Sequence, residues 1–283
     1  MTTDSPSDFA PLERNKAAYD DWSSAVSAWT RWDRQWSQFS APIDLLLLAE
    51  ADIGSGMQVL DVAGGSGDPA LALARAIGPS GQVTVADFVA GMLAVARRRA
   101  EAEGLANVVC VEADAEDLPF ADRVFDAVTC RFGLYYPSDP LCALREMRRV
   151  LKPSGRVVLV TWGPFELNAY WSAGSAALAN ALGDQTPEPP PEFRLSDPKT
   201  LATMMETAGL TVIRSELARL RLRWPGPPEE LAARDLEEDL LAAALPLSEK
   251  RQLRLSLEAA YRHFTEGGGV TLPSAVVMAS GVR

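Results

Sequence analysis

The sequence predicts an α/β protein, a doubly wound and mostly parallel sheet with a helical lid. Three observations carry that expectation. Apolar strand candidates at 57–62, 82–87, 107–112, 125–130 and 156–162 alternate with helical stretches at 68–77, 91–103 and 140–151, the βαβ rhythm of a parallel sheet. Strands two to five are continuous β-branched or apolar runs, such as Val83-Thr84-Val85-Ala86 and Val157-Val158-Leu159-Val160, as expected when helices cover both faces. The first strand runs straight into a glycine-rich turn, Val59-Leu60-Asp61-Val62-Ala63-Gly64-Gly65-Ser66-Gly67-Asp68.

The elements follow in order. After a polar leader, residues 14–39 carry Tyr19, Trp22, Trp29, Trp32, Trp36 and Phe39. Spacings of three, four and seven predict an amphipathic helical region with one aromatic stripe. Residues 1–40 are read as an aromatic lid segment and 41–163 as the ligand-binding core. Beyond 163 the rhythm breaks. Residues 164–196 predict a helix and then an extended loop through Thr186-Pro187-Glu188-Pro189-Pro190-Pro191, together a lid insertion. A helix at 197–208 ends at Gly209, a C-cap, and leads to a strand near 210–223, so that 197–224 continues the core. Residues 228–265 read as two or three helices with Leu231, Leu236, Leu240, Leu241 and Leu245 on one face, within a helical lid spanning 225–273. Gly267-Gly268-Gly269 then turns the chain into a last core strand at 274–281, in a final segment 274–283.

Composition bounds the function. The chain has 283 residues, 47% hydrophobic and 23% charged, an ordinary soluble balance. A net charge of −11 argues against a nucleic-acid partner, and Arg97-Arg98-Arg99 reads as a solvated helix face. No apolar run reaches the length of a membrane span, and Met1-Thr2-Thr3-Asp4-Ser5 lacks a secretory pattern. Cys110, Cys130 and Cys142 read as free thiols in a reducing cytoplasm. His263 is the single histidine, which excludes a multi-histidine metal site, and no metal is expected.

In an open parallel sheet, ligands sit at the carboxyl ends of the strands where strand order reverses. Glycines in the first turn let the backbone approach a ligand, and the next helix offers free N–H groups. Asp87, at the end of the second strand, can accept the hydroxyls of a ribose, which suits NAD as well as S-adenosylmethionine (SAM). After the third strand, Asp114 can accept an adenine amino group while the Ala115 N–H meets a ring nitrogen. Asp68 separates the two ligands. It would repel a pyrophosphate but tolerates the ammonium and sulfonium of SAM; it equally suits a helix start.

With those pieces in register, residues 57–162 resemble class I SAM-dependent methyltransferases, most closely the ubiquinone/menaquinone-biosynthesis C-methyltransferase group. The matching stretches include the glycine turn, Ala86-Asp87, Gly91-Met92-Leu93, Ala113-Asp114-Ala115-Glu116-Asp117-Leu118-Pro119-Phe120, Phe132-Gly133-Leu134 and Arg148-Arg149-Val150-Leu151-Lys152-Pro153-Ser154-Gly155. The resemblance implies a Rossmann-like fold, SAM as cofactor, contacts at Ala63, Gly65, Asp87, Asp114 and Ala115, and Arg131 near the methionine end. With the adjoining turn residues, the expected cofactor set is Asp61, Ala63, Gly64, Gly65, Gly67, Asp87, Phe88, Asp114, Ala115 and Arg131. Departures limit what else carries over. Tyr135-Tyr136-Pro137 stands where the quinone enzymes typically have Arg-Asn, and Thr161-Trp162-Gly163-Pro164 replaces their Glu-Phe. The quinone substrate is therefore not inferred. Cys130-Arg131-Phe132-Gly133 fits neither the DNA amino-methylating nor the cytosine C5 enzymes, and Arg131 stands where catechol enzymes bind a metal.

Methyl transfer needs alignment, exclusion of water and sometimes a base. The acceptor is expected among the aromatic N-terminal helix, Tyr135-Tyr136, the Trp162–Trp171 segment and the helices of 228–265. Tyr19, Tyr135 and His263 are the catalytic candidates, His263 because its ordinary pKa lies nearest neutrality. Most of the tryptophans read as core beneath the lid. The leading expectation is transfer of a methyl group to a small aromatic or apolar molecule, as in natural-product biosynthesis. The alternative is a SAM-binding enzyme catalysing a reaction such as cyclisation, and a NAD oxidoreductase ranks third. Partners reduce to that small molecule, without nucleic acid or membrane; pairing into a homodimer is left open.

Overall fold

The computed structural model describes residues 13–182, 189–238 and 245–283. Thr186, Pro187 and Glu188 of the proline-rich run, and Leu240 and Leu241 of the leucine face, lie outside the described residues. Eight strands form one sheet: β1 (Gln58–Val62), β2 (Gln82–Asp87), β3 (Val108–Glu112), β4 (Phe125–Arg131), β5 (Leu151–Trp162), β6 (Thr211–Trp224), β7 (Thr265–Glu266) and β8 (Gly269–Val282). Their order is β3-β2-β1-β4-β5-β8-β6, with β7 paired to β8. The first five run parallel, and β8 is antiparallel to both β5 and β6. The helices are α1 (Lys16–Glu50), α2 (Ala70–Ile77), α3 (Ala90–Ala102), α4 (Pro140–Val150), α5 (Ala169–Leu182), α6 (Pro198–Thr207), α7 (Pro228–Glu238) and α8 (Leu247–Arg262).

Apolar strands buried on both faces build the core: Val59, Leu60, Val83, Val85, Val128 and Leu159 have no exposure. Helix starts are set by local chemistry. The Asp139 carboxylate accepts from the N–H groups of Leu141 and Cys142, with Pro140 in the first turn, and Asp197 caps α6 through Thr200 in the same way. None of the described helices is long and apolar enough to cross a membrane.

Three boundaries differ from the sequence reading. Strand β5 begins at Leu151, earlier than residue 156, because Leu151 already pairs with Phe125 across a bulge. Strand β8 begins at Gly269 and pairs Val270 with Trp224, so the segment read as the end of the lid is sheet. Helix α1 runs through residue 40 and through Pro42 to Glu50. Phe39, Ile43 and Leu47, one turn apart, are each almost wholly buried, and that seam of apolar contact carries the helix past the proline.

Candidate active site

Strands β1 and β4 lie side by side, and the sheet order reverses between them, so a crevice opens beyond their carboxyl ends. Ala63 (φ 54) and Phe132 (φ 59), the residues just past those ends, both sit in the left-handed region, which costs about 1–3 kcal/mol each and concentrates at functional sites. The two turns nearly touch. A Cβ on Gly133 would come within 2.4 Å of the Ala63 Cβ, and one on Gly64 within 2.8 Å of Asp61 Oδ2.

The resulting cleft is lined by Asn15, Ala63, Asp87, Phe88, Ala113, Asp114, Ala115, Gly133, Tyr136 and Pro137. It gathers five of the expected cofactor residues: Ala63, Asp87, Phe88, Asp114 and Ala115. Gly64, Gly65 and Gly67 form the turn at its edge. The Gly65 N–H donates to Asp87 Oδ2 at 2.9 Å and the Val89 N–H to Oδ1 at 2.9 Å. Burial pushes the Asp87 carboxyl up to about 6 against the pull of those bonds.

Asp61 and Arg131 lie beneath the turn. Thr129 Oγ1 donates to Asp61 Oδ1 at 2.6 Å, whereas the buried Oδ2 has no hydrogen-bond partner among the described residues. Burial raises this carboxyl to about 7. Arg131 donates from Nη2 to the Asp68 carbonyl at 3.0 Å and holds Nη1 3.2 Å from Asp44 Oδ1, while its buried Nε has no hydrogen-bond acceptor among the described residues. Buried polar atoms are ordinarily satisfied. An acidic acceptor and a guanidinium donor left unmatched at one turn fit the ammonium and carboxylate of an amino acid, so the residues present fit the methionine end of SAM. Asp68 does not face that space: Arg99 Nη2 donates to it at 2.9 Å and Ser37 Oγ at 2.5 Å. Its charge is matched by Arg99, which makes it a structural residue.

A series of aromatic rings runs from the end of β4 toward the lid. Phe132 stacks on Trp162 with centroids 4.1 Å apart, and Trp162 meets Trp171 at 6.0 Å. Tyr170, beside Trp171 on α5, packs on Trp36 at 6.1 Å. From there the α1 stripe returns through Trp29 and Trp22 to Tyr136 at 5.4 Å. The rings close a circuit from the end of β4 across α5 and α1 and back to the loop after β4. Two indole N–H groups on it, those of Trp29 and Trp171, are buried without a hydrogen-bond partner among the described residues. Arg234 of α7, 3% exposed, lies over the Trp36 ring at 4.1 Å. It contacts the Tyr170 hydroxyl, and Tyr170 and Tyr261 both donate to Asp235, at 2.7 and 2.5 Å. This buried cluster ties α1, α5, α7 and α8 together.

The catalytic candidates divide. Tyr19 packs edge-on against Phe88, a residue of the cleft wall, at 5.8 Å. Tyr135 is buried, and burial holds its phenol well above its ordinary pKa, so it stays neutral. His263 is exposed at the C-terminal cap of α8, and no contact described brings it to the cleft. Two other residues come forward without a motif to announce them. Glu192, in the turn Pro191–Phe193, bonds to the Tyr136 side chain, and burial raises its carboxyl. Its Oε2 is buried and has no partner among the described residues. Asn15 reaches from the start of α1 to the Asp114 and Glu116 carboxylates.

Comparison with known proteins adds the lineage. A family model described as the ubiE/COQ5 methyltransferase family matches residues 17–176. A ubiquinone/menaquinone biosynthesis C-methyltransferase UbiE of Cupriavidus necator is 38% identical over 189 residues, 62% of this chain and 74% of that protein. Its counterpart in Hahella chejuensis is 37% identical over 193 residues, 64% and 75% of the two chains. Among solved structures, the [4+2]-cyclase SpnF superposes with a TM-score of 0.61 at 20% identity, covering 95% of this chain and 97% of that one. A Haemonchus contortus phosphoethanolamine N-methyltransferase 2, solved with phosphomonomethylethanolamine and S-adenosylhomocysteine, gives 0.55 at 18% identity over 95% of this chain and 58% of that one. At those identities the two structures establish the fold.

Proposed function

The chain belongs to the ubiE/COQ5 methyltransferase family, and from that premise we propose that it methylates a small, flat, largely apolar acceptor held inside the aromatic circuit. It is a SAM-dependent methyltransferase of the Rossmann-like fold. The acceptor is the proposal. The observation that carries it is the ring circuit itself: eight aromatic side chains around the carboxyl ends of β4 and β5, with two buried indole donors suited to an acceptor oxygen. The named relatives act in ubiquinone/menaquinone biosynthesis, which makes a hydroquinone one member of the class. Residues 177–283, including α7 and α8, fall outside the family match, and Asp235 of α7 and Tyr261 of α8 pack against Tyr170 of that circuit.

Bound SAM would supply a methyl group already activated on a sulfonium. Asp87 accepts the ribose hydroxyls, Asp114 and the Ala115 N–H read the adenine, and Asp61 with Arg131 hold the ammonium and carboxylate. Gly64, Gly65 and Gly67 keep the backbone close to the ligand, and Tyr19 with Phe88 walls the adenosine side. The aromatic rings exclude water and set the acceptor in line with the methyl group, the main requirement of such a displacement. We assign the acceptor's proton to Glu192, whose side chain bonds to Tyr136 of the cleft wall, in place of the exposed His263. Incubation with methyl-labelled SAM and a panel of reduced naphthoquinols and simple phenols tests the reading. It stands if label enters a product in step with S-adenosylhomocysteine. Turnover of an acceptor with no S-adenosylhomocysteine would instead favour a cyclase-type reaction on the same fold.

A further inference from the structure

We infer that Asn15 is a cofactor-positioning residue, which aims the Asp114 carboxylate at adenine and closes the first turns of α1 over the adenosine. The inference rests on the proposed adenine role of Asp114.

Asn15 is 4% exposed although it lies at the very start of a helix. Its side chain does not cap that helix. It crosses instead to elements about a hundred residues away. Nδ2 donates to Asp114 Oδ2 at 2.9 Å, to Oδ1 at 3.2 Å and to Glu116 Oε1 at 3.0 Å. Oδ1 accepts from the Ser138 N–H at 2.9 Å. One amide therefore joins α1, the loop after β3 and the loop after β4, the three segments that surround the adenosine end of the cleft.

The geometry has a chemical reason. Asp114 and Glu116 are both 5% exposed and two residues apart, and two buried acidic groups need donors between them. Asn15 offers both of its N–H groups there. The Glu116 N–H donates to Asp114 Oδ1 at 2.9 Å, and the Asp139 N–H to Glu116 Oε1 at 3.1 Å. Both carboxylates are thus held in one orientation from two sides. An adenine amino group would meet a carboxylate whose orientation Asn15 has already set.

Helical spacing makes the same amide a closure. Asn15, Tyr19 and Trp22 fall at i, i+4 and i+7, one face of α1. Tyr19 meets Phe88 and Trp22 meets Tyr136, and Phe88 and Tyr136 both line the cleft with Asn15. That face is the roof over the adenosine. A roof anchored on the residue that reads the base closes most firmly when the base carries an amino group.

The test measures binding, not turnover. Calorimetry would compare S-adenosylhomocysteine with S-inosylhomocysteine, in which a carbonyl replaces the amino group, on the intact chain, Asn15→Ala and Asp114→Ala. The intact chain should prefer the adenine form by about ten- to hundredfold, the range for a charge-assisted hydrogen bond. Asn15→Ala should lose most of that preference while binding S-inosylhomocysteine nearly as before. A merely structural role would weaken both ligands alike and leave the ratio intact, which overturns the inference. If Asp114→Ala also keeps the preference, the adenine reading of Asp114 fails and the inference with it. Hydrogen exchange on the unmutated chain needs no variant: S-adenosylhomocysteine should slow exchange over residues 16–24 more than S-inosylhomocysteine does. Equal protection by the two ligands counts against the closure.

Discussion

Binding of S-adenosylhomocysteine should depend on pH through Asp61. The carboxyl is fully buried, and burial raises it to about 7. Thr129 and Arg131 pull the other way, and Asp44 and Asp68 add to the rise. An ammonium placed against Oδ2 favours the ionised form and returns the group toward the ordinary carboxylate value of about 4. The sign follows. Below 7 the empty site holds a proton that the ligand must expel, so affinity falls as pH falls. At pH 8 about nine-tenths of the empty sites are ionised and at pH 6 about one-tenth, so the dissociation constant should rise roughly tenfold over that interval, about 1.4 kcal/mol. Calorimetry in buffers of different ionisation enthalpy reads the proton directly: near one released per ligand at pH 6 and near none at pH 8. Asp61→Asn keeps an acceptor for Thr129 and removes the titration. It should bind more weakly at pH 8 and flatten the profile to what Asp87, raised to about 6, and Asp44, raised to about 7, contribute. A variant with the unmutated slope and proton count would refute the assignment of Asp61 to the ammonium.

Three more outcomes are expected. Arg234→Ala leaves Asp235 buried without its cation and should cost about 3–5 kcal/mol in urea unfolding, whereas Arg234→Met, which keeps the volume against Trp36, should recover part of the loss. Asp68→Asn should lower stability by about 2–4 kcal/mol by stripping the partner from the mostly buried Arg99, with S-adenosylhomocysteine affinity unchanged; a large loss of affinity would put Asp68 back in the site. Glu192→Gln should reduce kcat on any acceptor whose proton must leave and erase the acid limb of the pH profile. That limb should lie above the usual glutamate range because burial raises the group, and His263→Ala should leave the profile as it was.

Much of the core was legible because its signals are local. The β1–β4 runs and their helices fall within a few residues of the sequence reading, since an apolar strand between glycine-rich turns encodes its own limits. The glycine turn, Asp87 and Asp114 were legible for the same reason, each being tied to a strand end. The antiparallel seating of β8 between β5 and β6 was not, because strand partners far apart in sequence leave no local trace. Asp68 was half read: the sequence showed a charge near the turn but not Arg99, thirty-one residues on, that matches it. Asn15 and Glu192 carried no signal, one at the head of the aromatic helical region and the other directly after a run of prolines. Their roles exist only in contacts with Asp114 and Tyr136 made by the folded chain. His263 stood out by composition alone, and composition says nothing of exposure.

Strand β8 has a consequence for any attempt to change the acceptor by exchanging segments between relatives. It runs unbroken from Gly269, where Val270 pairs with Trp224, to Val282, where it pairs with Arg156 of β5. A graft bounded at 225 and 273 would cut the ladder between Leu272 and Ser274 and replace the partners of Arg221, Leu222, Arg223 and Trp224. The part of the chain most suited to diversification is thus built on the same backbone that seals the sheet's interior. A transplanted cassette has to take β6 and β8 with it, and acceptor preference in such chimeras should change together with thermal stability.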